Sequence, residues 1–187
     1  EKQERIDFID TYSAAYRRQV LQANDGFDEQ FTYLEDQELS FRLASRGYEM
    51  VFHPQATVYH HHADSLPAYA RKKFTIGYWK AQVVRRFPDR LVQDSHTPQV
   101  MKLQMLLVAL SLAAAAGILI TPWSALLLAA VLLIFLLSIV PFTCKAWPKD
   151  KPVALASPFL LSARAAALGF GYLWGLVKPA TIRKEGT

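Results

Sequence analysis

Residues 26–43 read GFDEQFTYLEDQELSFRL, and the organisation of the N-terminal half follows from this stretch. Just ahead of it, Asn24-Asp25-Gly26 is a strong breaker, because these residues tolerate the turn conformations that others avoid. The loop it opens carries Phe27, Asp28 and Glu29, and Phe31 to Leu34 forms a brief aromatic run. At Glu35 the pattern changes. EDQELSFRLASR, Glu35 to Arg46, is the clearest helix outside the apolar half, with Leu39, Phe41 and Leu43 as its apolar positions. Glu38 and Arg42 stand at i,i+4, a spacing worth a few tenths of a kcal/mol on a helix surface. Gly47 supplies the C-terminal stop.

Working outward, Ile6 to Tyr12 is apolar enough for a short strand, and Ala14 to Gln22 has helical character that ends at the breaker. Downstream, Tyr48 to Phe52 and Ala56 to Tyr59 read as strands around His53-Pro54. Leu66 to Phe87 is a basic amphipathic helix with Tyr69, Phe74, Tyr78 and Trp79. Aromatic rings beside lysine and arginine suit the headgroup level of a bilayer.

The hydrophobic content of 52% is unevenly spread, since Met101 to Val177 is mostly Leu, Ala, Val, Ile and Phe. Crossing hydrocarbon takes about 20 apolar residues. Val100 to Ile120 meets that length, Thr121-Pro122-Trp123 allows only a tight turn, and Ser124 to Phe142 crosses back. Residues 100–143 are therefore expected to form a transmembrane hairpin, and 144–152 a basic loop with Lys145, Lys149 and Lys151. The segment 153–187 is less regular, with Pro158, several glycines, and Arg164 near the middle of its apolar run. A charge at the bilayer centre costs at least about 2.5 kcal/mol, and both flanks are basic. Ser157, Arg164, Gly171, Gly175 and Lys178 fall near one helical face, so an interfacial or re-entrant helix is expected, with a third membrane helix as the alternative.

The net charge of +5 and pI near 9.4 would suit nucleic acid, but the positive residues crowd against the apolar half. Arg71, Lys72, Lys73, Lys80, Arg85, Arg86, Arg90 and Lys102 form the signature of a cytoplasmic membrane face. Membrane lipid is the expected partner, nucleic acid is not, and the N-terminal part is placed in the cytoplasm. The single cysteine, Cys144, excludes an intrachain disulfide and a cysteine-based metal site. The chain opens on polar EKQERIDFID without Met or signal peptide, which leads us to expect an upstream portion.

From Asp7 to Gly77 the order YSAAYRR, GFDEQF, LEDQEL-FR, GY, P-A-V-H-H-S and RKKF-G resembles the second half of the catalytic domain of family-two glycosyltransferases. The resemblance implies a partial GT-A, Rossmann-like α/β fold over residues 1–99, with the basic interfacial helix near 66–87, followed by an all-α membrane region. It also implies an inverting transferase that takes a sugar from a nucleotide-sugar donor to a lipid-linked or cell-surface glycan acceptor, as in cell-envelope polysaccharide biosynthesis.

Such enzymes usually place their base in an ED pair at a helix start, which maps onto Asp36 with Glu35 beside it. A carboxylate there accepts the proton of the attacking hydroxyl. Read without the family, Asp36 is a helix cap. Asp28 and Glu29 are loop-shaping residues or acceptor contacts. His60 or His62 is placed at the metal or diphosphate, and Arg71 and Lys72 at the diphosphate or at lipid headgroups. The family commonly uses a divalent metal, Mg or Mn, on an Asp-any-Asp motif. That motif does not occur in the 187 residues and is expected upstream. Without that portion no transfer is expected. The Gln-any-any-Arg-Trp motif of processive relatives is also missing. His60-any-His62-any-Asp64 imitates the opening of a zinc hydrolase site, but residue 65 is Ser and the ligand set cannot be completed. The rival class is a non-catalytic membrane-anchored binding or scaffold module.

Overall fold

The computed structural model describes residues 4–61, 64–91 and 98–180. It divides into two compact units, one of residues 1–96 with 171–187, the other of residues 97–170.

The first unit is mostly helical. Its elements are β1 (Glu4–Ile6), α1 (Arg18–Ala23), α2 (Glu35–Ser45), β2 (Met50–Phe52) and α3 (Leu66–Arg86), joined at the end by the last residues of α6 (Lys151–Val177). The sheet among the described residues is one antiparallel pair, with Glu4 opposite Phe52, Arg5 opposite Val51 and Ile6 opposite Met50. The α/β half expected from the resemblance is thus represented by this pair alone. The strand expected over Ile6–Tyr12 stops at Ile6, because Asp10 accepts the Tyr12 amide at 3.1 Å and bends Thr11–Ser13 into a single 3-10 turn. The strand expected at Ala56–Tyr59 does not form. Ala56 N–H instead turns back to the His53 carbonyl at 3.0 Å, and Thr57 N–H to Gln55 at 3.0 Å.

Helix α2 forms where the sequence places it and ends where Gly47 adopts φ +79°, a conformation that glycine takes at little cost. It is buried almost all round. Leu39 and Phe41 are 0% exposed and Leu43 is 3%, and its polar Gln37, Glu38 and Ser40 are buried too. The Ser40 hydroxyl accepts the Ile9 amide at 3.1 Å, so even this polar position is satisfied. Phe41 packs with Phe31, Trp79 and Val83 into the unit's core, with Phe8, Leu34, Tyr78, Phe87 and Ala180 around it.

The surrounding of Glu38 corrects one expectation. Its pair with Arg42 is not a solvated surface pair, since the Glu38 side chain is 0% exposed. Arg42 grips it with two N–H donors at 2.9 Å each, and Arg86 of α3 adds a third at 3.1 Å. Removing one partner of a buried ion pair leaves a charge stranded, which makes this contact far more consequential than a surface pair.

Helix α3 packs on the end of α6 through glycine. A Cβ at Gly171 would collide with the Phe74 carbonyl, and one at Gly175 would lie 2.5 Å from the Tyr78 carbonyl oxygen. The last carbonyls of a helix lack intrahelical donors, and α3 supplies them here. Gln82 Nε2 donates to the Gly175 carbonyl at 2.9 Å and Arg85 to that of Leu176 at 3.2 Å.

The second unit is helical: α4 (Gln99–Gly117), α5 (Trp123–Ala146) and the first five turns of α6. Gly117 approaches Ser124 at the short connection, while Gln104 donates to Ser138 at 3.1 Å farther along. That register is an antiparallel hairpin. Leu107, Val131, Phe135, Ile139, Leu161 and Ala165 make its core. Helix α6 runs unbroken through Pro158. It turns Ser157, Gly171 and Gly175 inward, and half-buried Arg164 donates to Gln104 at 2.9 Å. All three helices, α6 included, are long and apolar enough to cross a membrane. Many of their leucines face outward, with Leu126 63% exposed and Leu133 58%, as lipid-facing residues would be.

Candidate active site

The ED pair opens α2 directly, Glu35 as its first residue and Asp36 as its second. The residue ahead, Leu34, is held at φ 60° in the left-handed region, which costs a non-glycine residue roughly 1–2 kcal/mol. Strain of this kind persists only where surrounding structure holds it, and it clusters at functional positions. Leu34 side-packs on the core, so the strain is anchored where the chain enters α2.

Asp36 is not the cap residue of α2, a position occupied by Leu34 without any side-chain cap bond. Its carboxylate nonetheless accepts one first-turn donor, Gln37 N–H at 2.8 Å, and the backbone amide of Thr11 from the 3-10 turn. Burial raises its pKa above the ordinary 3.8; the Gln37 amide opposes the shift, and the charges of Glu35 and Asp10 add to it. A half-buried carboxyl pushed upward in this way moves toward the range in which general bases operate.

The structure adds two residues to which the sequence assigned no role. Asp10, which caps the 3-10 turn, brings its charge to Asp36. Tyr16 places its hydroxyl in the interior, where among the described residues it has no hydrogen-bond partner. Burial, and then the charges of Asp36, Asp10 and Glu35, push that phenol up to about 12, so it stays protonated at neutral pH. Tyr16 belongs to the YSAAYRR segment, but a tyrosine there carries no local signal that distinguishes a site residue from a packing one.

Two of the proposed diphosphate contacts meet on a third residue. Tyr12 accepts from Lys72 Nζ at 3.3 Å, its ring lies 5.9 Å from the same ammonium, and the His60 ring centroid is 4.0 Å from that of Tyr12. Tyr12 follows Thr11, whose amide binds Asp36, so one turn touches both groups of candidates. His62 lies outside the described residues. Arg71 is exposed on α3, one position before Lys72.

The remaining candidates stand apart from this site. Asp28 is paired with Arg86 at 2.5 Å and accepts the Gln30 amide at 3.0 Å. It shapes its loop and fastens it to α3. Glu29 is exposed. As to a metal, no three His, Cys, Asp or Glu side chains converge among the described residues as ligands would. The donor set of a divalent ion is therefore not assembled by these residues, and no step is assigned to one.

The family profile described as glycosyl transferase family group 2 matches residues 8–144, well over half of the chain. The chain belongs to that glycosyltransferase family. The match runs from the Asp10 turn through the ED helix and the apolar hairpin, and the three long apolar helices make the protein membrane-associated. No curated protein and no solved structure shows significant similarity to the chain.

Proposed function

We propose that these residues form the acceptor side of an inverting glycosyltransferase of GT-A type. It moves a sugar from a nucleoside-diphosphate donor to a hydroxyl of a lipid-linked or cell-surface glycan. The observation that carries this is Asp36, a half-buried carboxyl at the start of α2 with a raised pKa, in a chain of this family. Asp36 accepts the hydroxyl proton as the oxygen attacks the anomeric carbon, and the bond to the diphosphate breaks on the opposite face. Charge developing on the leaving group calls for cations, and Lys72, with His60 beside it, supports that role. Arg71 stands ready for the diphosphate or for lipid headgroups. The family often uses a divalent ion, whose ligand set is not assembled among the described residues.

The test is transfer by the full-length protein in vesicles, across a panel of labelled nucleotide sugars. Label should enter the lipid or glycan fraction, and NMR of the product should show the opposite anomeric configuration to the donor. A product with retained configuration sinks the direct displacement at Asp36.

The basic flanks support a topology with both ends of the 100–143 hairpin in the cytoplasm. Cys144, which is exposed, gives the measurement. An impermeant thiol reagent should leave it unlabelled in intact cells and label it after permeabilisation. Labelling from outside would invert the topology.

A further inference from the structure

We infer that Tyr12 is a positioning residue for the leaving group, holding the Lys72 ammonium and the His60 ring together as one subsite for a diphosphate. This role rests on the transfer reaction proposed above and adds to it a residue that touches neither sugar nor base. The geometry is specific. Lys72 donates to the Tyr12 hydroxyl at 3.3 Å and lies 5.9 Å from its ring centroid, and His60 packs against the same ring at 4.0 Å. Ser13, the next residue, donates its hydroxyl to the Ala56 carbonyl at 3.2 Å, which ties the turn to the irregular segment that bears His60.

A lysine side chain carries substantial rotamer entropy, much of which an unanchored ammonium would lose on binding an anion. Anchored on Tyr12, Lys72 is already ordered, and an ammonium has three donors, of which the phenol takes one. An in-line displacement also needs base and leaving-group cations at a fixed separation. Thr11 binds Asp36 through its amide, and Tyr12 holds Lys72 and His60. Successive Cα atoms are about 3.8 Å apart, so the two anchors cannot drift independently.

Tyr12 is 53% exposed, so its replacement should leave the fold intact. The experiment uses the full-length protein in detergent, with inorganic pyrophosphate as titrant and donor KM as the kinetic readout. Tyr12→Phe, which keeps the ring and loses the hydroxyl, should weaken pyrophosphate and raise donor KM about threefold. Tyr12→Ala should do so about tenfold. Both variants should keep the wild-type unfolding temperature, and kcat should change less than KM. Combined with Lys72→Ala, Tyr12→Phe should add almost nothing, because the two act through one contact. If Lys72→Ala and His60→Ala weaken pyrophosphate while the Tyr12 variants bind normally, or if the effects simply multiply, Tyr12 positions nothing and the diphosphate subsite stands without it. If Lys72→Ala and His60→Ala change neither quantity, the subsite and the role of Tyr12 fall together, leaving the chemistry of Asp36 untouched.

Discussion

Asp36 and Glu38 stand two residues apart on α2, yet their surroundings are opposite. Asp36 is half-buried, and around it gather Glu35, Asp10 and the phenol of Tyr16, so burial first and then like charge push the carboxyl up. Around Glu38, Arg42 and Arg86 donate three hydrogen bonds to a fully buried carboxylate, while the same Arg86 nitrogen also pairs with Asp28. About half a turn of a helix thus separates a carboxylate left without a cationic neighbour among these contacts from one held by two arginines. Stability is invested in the second, and chemical potential for proton transfer in the first.

The largest expected effect tests the first of these settings. Asn at position 36 keeps the shape and an oxygen for the Gln37 amide but cannot take a proton. Asp36→Asn should therefore lower kcat by about 10²–10⁴-fold. Its stability should not fall. Because the folded pKa of Asp36 is raised above the ordinary 3.8, the folded protein holds that proton to higher pH than the unfolded chain does. The contribution of this group to stability accordingly declines as pH rises through the window between those two values. Asn escapes that loss, so the variant should melt at the same temperature or higher at neutral pH, with the two proteins converging as pH approaches 3.8. A variant that loses activity and melts markedly lower at neutral pH would mean that Asp36 is a structural cap.

The second effect should be large in stability and small in chemistry. Glu38→Ala takes a buried carboxylate away from Arg42, which keeps the Asn24 and Gly26 carbonyls, and from Arg86, which keeps Asp28, and about 1–3 kcal/mol of unfolding free energy should be lost. Turnover per folded molecule should stay within a few-fold of wild type. Denaturant titration together with active-site-normalised kinetics measures both. If Glu38→Ala folds normally but turns over as poorly as Asp36→Asn, the division between the two carboxylates is wrong.

The smallest effect sharpens the same contrast. Glu35→Gln removes one of the charges that raise Asp36. The acid limb of the kcat/KM–pH profile should then move to lower pH, with less than a tenfold change at the plateau. An unmoved limb would assign the titration to another group.

The helix that carries both carboxylates was legible from its apolar positions and its glycine stop, and so was the ED pair at its start, because these signals are local. What Glu38 does was not legible. A Glu four residues before an Arg looks the same whether the helix face is wet or buried, and Arg86 arrives from 48 residues away. Asp10 and Tyr12 were hidden for a related reason. The stretch reads as strand on composition, and it is the capping bond of Asp10 that turns it.

The sequence by itself determined the division into a mixed half and an apolar half, the two apolar helices of the 100–143 hairpin, and the family, since each depends on composition or on order along the chain. The tertiary structure decided which charges meet. It brought Asp10 and Tyr16 to Asp36, set Lys72 and His60 on Tyr12, and turned the glycines of α6 onto α3, where a single methyl group would collide with the Phe74 backbone. Electrostatic and steric contacts of this kind act over a few ångströms in space, whatever the distance along the chain, and only the folded chain fixes those distances.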